Sequence, residues 1–105
     1  MAYYLVKARA KTDTLNGLKK RIDSGEICKM RPFGTALDES LRGARLDRSG
    51  FATWEENDYC NPPLAMERAA VLDHHFSDIE VEPVERGVGW KRIAHLPSLW
   101  KEVLP

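Results

Sequence analysis

The chain predicts an α+β domain in which an antiparallel sheet carries two helices on one face. Three observations lead there. Residues Ala2 to Ala10 (AYYLVKARA) alternate at period two, with aromatic and β-branched residues on both sides of the alternation. Two later segments, around Leu15–Ile22 and Ala65–Phe76, repeat their apolar residues at helical spacing. Strand-like stretches follow each of them. The order is β-α-(loop)-β-β-α-β with a C-terminal tail from about residue 95, which is a split βαβ arrangement.

The first helix is expected after Thr12 or Thr14 as cap, with Leu15, Leu18 and Ile22 at i, i+3 and i+7 and Ser24-Gly25 as its stop. Residues 26–39 (EICKMRPFGTALDE) read as a loop with short helical turns, because Pro32 and Gly34 both interrupt a helix. A hairpin is expected next. Leu41 to Leu46 forms one strand and Phe51 to Glu56 the other, around a turn at Asp47-Arg48-Ser49-Gly50. On the second strand Ala52, Trp54 and Glu56 share one face, and Phe51, Thr53 and Glu55 the other.

The second helix is predicted to start at Asn61 as N-cap, with Pro62 and Pro63 in its first turn. Ala65, Ala69, Leu72 and Phe76 would form the buried stripe, with Leu64, Arg68, Val71 and His75 on its flank and His74 facing water. Residues 78–85 (DIEVEPVE) read as a strand whose Pro83 places it at an edge or a bulge. RGVGW is expected as a turn, KRIAHL as a last short strand, and PSLWKEVL as a terminal helical turn docked by Leu99 and Trp100.

With 105 residues, the sequence suits a single domain spanning 1–105. Lys and Arg equal Asp and Glu at 16 each, so a basic footprint for nucleic acid is missing overall and a nucleic-acid partner is disfavoured. No apolar run reaches the roughly 20 residues of a membrane span, and the start lacks the pattern of a signal peptide. Two cysteines, Cys28 and Cys60, are too few for a disulfide framework, and the expected location is the cytoplasm.

The candidate chemistry clusters around YCNPPLAMERAAVLDHHF. His74 and His75 diverge by about 100° on a helix and no CxxC, HxxxH or HExxH spacing occurs, so neither a metal nor another cofactor is expected. His75, half-buried beside Arg68 or a carboxylate, is the candidate acid–base group. Cys60 precedes a helix start, where a thiolate gains from the helix dipole, against the plainer expectation of an inert thiol. Arg42, Arg45 and Arg48 are close enough on the hairpin to take a carboxylate, with Glu55 and Glu56 as competing cross-strand partners.

In the order of its elements over residues 2–94 the chain resembles the dimeric α+β barrel proteins, ferredoxin-like chains that include muconolactone isomerases and small antibiotic-biosynthesis monooxygenases. The stretches RPFGTALDESL, GFATWEENDYC and PPLAMERAAVLDHHF resemble a small bacterial family to which no activity attaches. The resemblance implies a homodimer and a pocket between sheet and helices, and it carries over no catalytic residue. Two function classes stay open. One is a dimeric domain that binds a small organic ligand. The other is a cofactor-independent enzyme of isomerase or monooxygenase type, with His75, Tyr59 and Arg45 as the polar groups of the pocket.

Overall fold

In the computed structural model, which describes residues 2–102, Val6 stands opposite Trp54, Ala8 opposite Ala52 and Tyr4 opposite Glu56. These pairs turn one face of the sheet inward, and Val6, Ala8, Ala52 and Trp54 are fully buried there. The strands are β1 (Ala2–Ala10), β2 (Arg45–Leu46), β3 (Phe51–Asp58) and β4 (Phe76–Val84). They form one antiparallel sheet in the order β2-β3-β1-β4, consistent with the split βαβ expectation.

Helix α1 (Leu15–Asp23) lays Leu15, Leu18 and Ile22 into the core, as their spacing requires. Thr14 holds the N-cap position, but its hydroxyl donates to the Lys11 carbonyl and accepts no helix N–H. Gly25, at φ 83°, takes the chain out of the helix in a conformation glycine adopts without strain.

The strand expected over Leu41–Leu46 is shorter than foreseen: Leu41 and Arg42 end a helix, and the strand begins at Arg45. Helix α2 (Gly34–Arg42) fills the second half of the presumed loop, and only Arg45–Leu46 pairs with β3. Leu37 and Leu41, four residues apart, are both fully buried, so helical phase wins over a short alternation. Gly34 is the first residue of α2 and not a breaker. A side chain there would collide with the carbonyl of Ile27, so the close approach needs glycine. The hairpin turn is as expected: Gly50 has φ 86°, and Asp47 Oδ1 accepts the N–H groups of Ser49 and Phe51, both at 2.9 Å.

The second helical segment differs from expectation at its start and in its phase. Asn61 is not its cap. The chain passes through a cis Asn61-Pro62 bond, Leu64 adopts φ 63°, and the helix begins at α3 (Ala65–Glu67). It continues as a π-helical turn (Arg68–Leu72) into α4 (Asp73–His75). The wider π turn shifts the inward phase. Leu64, Glu67, Val71, Leu72 and His75 are buried, while Ala65 is half-buried and Ala69 exposed. Phe76 then opens β4 with its ring 5.2 Å from that of Trp54.

KRIAHL is not a strand. Helix α5 (Val88–Ile93) starts at Gly87 and lies against β3 on the sheet face opposite the core helices. Trp54 lies on the core face. Thr53 and Glu55 occupy the second face, where α5 covers Glu55. A 3-10 turn (Leu99–Glu102) docks Leu99 and Trp100, whose indole Nε1–H donates to the Leu41 carbonyl at 2.6 Å. The remainder of the expected tail, residues 103–105, lies outside the described residues. Among the described residues, no helix is long and apolar enough to cross a membrane.

Candidate functional site

Where β3 leaves the sheet, α2, α5 and the start of α3 diverge and leave a cleft. Its cavity volume is about 770 Å³. One wall is Phe33, Ala36 and Ser40 from the start and inner side of α2; the opposite wall is Arg86, Gly87 and Trp90. Tyr3, Asn57, Tyr59, Cys60, Met66 and Glu67 also line the cleft.

Alternation along β3 sets the chemistry. Glu55 points to the second face, where its carboxylate accepts the N–H groups of Gly87 at 2.9 Å and Gly89 at 2.7 Å. It thereby anchors the start of α5, a favourable place for an anion. Glycine at 89 suits that approach, because a Cβ would come within 2.9 Å of Glu55 Oε1 and 3.2 Å of Glu55 Cβ and displace the anchored carboxylate. The lone G-x-G of GVGW therefore serves a protein carboxylate.

Glu56 and Asp58 alternate to the core side. Glu56 is 2% exposed; its Oε1 accepts the Trp54 indole N–H at 2.9 Å, and its Oε2 has no hydrogen-bond donor. Asp58 Oδ2 accepts the backbone N–H of Leu64 at 2.5 Å, which stabilises the turn into α3. Glu67, one helical turn on, completes a group of three carboxyls.

These groups divide their protons unequally. Burial, then the neighbouring Glu67 charge, pushes Glu56 well above the usual carboxyl range. Burial raises Glu67 as well, reinforced by Asp58. Burial also works against the charge of Asp58, but hydrogen bonds from Leu64 N–H, Glu67, Cys60 and Tyr59 N–H outweigh it and hold Asp58 below its ordinary value. For Cys60 the Met66 backbone hydrogen bond favours the thiolate. Burial and the charges of Asp58 and Glu67 oppose it, and the thiol ends up raised. A helix-stabilised thiolate is thus not what its surroundings favour.

Asp58, Cys60 and Glu67 are also the residues that could hold a metal, since each offers a ligand atom within 4.8 Å of the others. No short motif marks this group, because its members come from a strand end, a loop and a helix.

Of His75, Tyr59 and Arg45, foreseen as the polar groups of a pocket, Tyr59 alone lines the cleft, 77% exposed; Cys60, the candidate thiol, lines it too. His75 lies under α1. Its Nδ1–H donates to the Thr14 carbonyl at 3.2 Å, and its Nε2 accepts from Arg21 Nη1 at 3.1 Å. Burial first, and then the Arg21 charge, depresses its pKa, so the neutral imidazole is favoured. Arg21 thus takes the part foreseen for Arg68, which pairs with Asp73. Arg45 donates to the Leu96 carbonyl at 2.7 Å, and Arg42 pairs with Asp38. Glu55 and Glu56 take N–H donors from α5 and Trp54, so the foreseen cross-strand pairs with these arginines do not form.

Sequence reasoning missed Asp58 and Glu67. One signal was present: alternation through Trp54 carries Glu56 and Asp58 into the core, where an acid needs a partner. No protein-family model, curated protein or solved structure matches the chain.

Proposed function

We propose that the chain binds one small organic molecule in the cleft at the end of β3. The lining carries this reading. Tyr3, Phe33, Tyr59 and Trp90 offer flat apolar surface, and Asp58 and Glu67 a polar end. A cavity of about 770 Å³ lies within the roughly 300–1,000 Å³ of ligand pockets. Glu39, Asp58 and Glu67 remain after Glu55 is spent on α5, against Arg86 as the cation of the lining, so the favoured ligand carries a ring and a hydrogen-bond donor or a positive charge.

Backbone-amide NMR with a small-fragment library tests it. Hits should move the amides of Phe33, Ala36, Tyr59 and Trp90, and Ala36→Trp, which fills the cleft, should abolish the shifts. Shifts that survive Ala36→Trp in a folded protein would end the reading.

One observation favours the enzyme reading as second choice. Asp58 and Glu67 are adjacent carboxyls with pKa values pushed in opposite directions, the pattern of an acid–base pair. Kinship with the dimeric α+β barrel proteins and a homodimer belong to the same proposal. Strand order supports the kinship. For the dimer, the half of the second face over β1 and β4 carries Lys7 opposite Glu80, a charge pattern that two-fold pairing can satisfy.

A further inference from the structure

We infer that Asp58, Cys60 and Glu67 form a binding site for a divalent transition-metal ion of the Zn²⁺ class at the deep end of the cleft. The inference goes beyond the organic-ligand reading and does not rest on it. Its geometry is close to that of a metal site. With metal–sulfur and metal–oxygen bonds of about 2.3 and 2.0–2.2 Å, tetrahedral ligands sit roughly 3.5 Å apart. Cys60 Sγ lies 3.8 Å from Glu67 Oε1, and all three ligand atoms lie within 4.8 Å of one another. Side-chain adjustments of about an ångström would close the set.

The second observation is independent of the trio. Glu56 is 2% exposed on the same side of β3 as Asp58, and its Oε2 has no donor. The Glu56 carboxyl group adjoins Glu67 and feels the Asp58 charge. Among the described residues, no Lys, Arg or His ion pair reaches Glu56, Asp58 or Glu67. A group of acids buried in this way, with no cation from the protein, is the environment a bound cation would neutralise.

Ligand type selects the ion. A thiolate with two carboxylates suits Zn²⁺ or Co²⁺, whereas Mg²⁺ and Ca²⁺ take all-oxygen sets. Three protein ligands leave a fourth position, and all three residues line the cleft, so that position opens toward it. Binding would release the Cys60 thiol proton to solvent.

The test uses the full chain with CoCl₂ and ZnCl₂ alone and no organic ligand, so its outcome is separate from that of the fragment screen. Co²⁺ should give a near-ultraviolet sulfur-to-cobalt band saturating at one ion per chain and displaced by Zn²⁺. Cys60→Ser should remove the band, while Cys28→Ser keeps it. Asp58→Asn, which can still accept the Leu64 N–H, should keep the band and weaken binding at least tenfold. Absence of the band, its persistence in Cys60→Ser, or unchanged affinity in Asp58→Asn would overturn the inference. Far-ultraviolet circular dichroism shows that each variant is folded.

Discussion

At the scale of single residues, the two adjacent histidines separate cleanly. His75 is buried, with both ring nitrogens engaged, and His74 is exposed. In denaturant titrations His75→Ala should cost about 1–2 kcal/mol, and His74→Ala should stay within about 0.5 kcal/mol of the parent. The pH dependence has a definite sign. Because the folded pKa of His75 is depressed from 6.5, the unfolded chain binds the proton more readily. Its contribution is full above about pH 6.5 and is lost as pH falls through the folded value. Denaturation midpoints between pH 7.5 and 5 should therefore decline less in His75→Gln than in the parent. An equal or steeper decline would contradict a neutral, Arg21-paired imidazole.

At the scale of elements, two close approaches position the cleft walls. Gly89 admits the Glu55 carboxylate to the start of α5, and Gly34 admits the start of α2 to the carbonyls of Ile27 and Cys28. Glu55→Ala strips the anion from N–H groups of Gly87 and Gly89 and should cost about 1.5–3 kcal/mol, with hydrogen exchange quickening first in α5. Gly34→Ala should cost about 1–3 kcal/mol by overpacking and should weaken any cleft ligand, since Phe33 and Ala36 move with α2. Unchanged stability in both variants would show that these approaches do not hold the walls.

The same elements show what the sequence could reveal. Strand β1 and helix α1 were legible because alternation and 3.6-residue spacing run through them without a special backbone position. Helix α2 was not, because Gly34 reads as a breaker until the Ile27 carbonyl that demands it is known. The phase after Asn61 was hidden by the π turn and by Leu64 in a left-handed conformation, neither of which a helical wheel contains. His75 kept its buried side through that shift, whereas Ala69 lost it.

At the scale of the whole molecule, topology converts a strand end into a site. Sheet order β2-β3-β1-β4 places β3 centrally, with core helices on one face and α5 on the other. The alternating acids Glu55, Glu56 and Asp58 are thereby divided between an anchor for α5 and the buried carboxyl group. That division could be read in part from strand alternation. That Trp90 and Glu67 meet at one cleft could not, since their place depends on where α5 and α3 pack. Sedimentation at micromolar concentration should give twice the mass of a 12.0 kDa chain if two copies pair through the β1–β4 half of the second face. Lys7→Glu should then shift the mass toward one chain. A stable single-chain mass in the parent would remove the dimer from the proposal.

The central claim is that the cleft beside Trp90, and not the surroundings of His75, is where this protein meets its ligand. Titration of the tightest fragment, followed at the Trp90 indole N–H and the His75 ring protons in one sample, tests it most directly. The Trp90 signal should move to saturation with a single dissociation constant while the His75 signals stay in place. Saturable movement of the His75 ring with Trp90 unmoved would contradict the account.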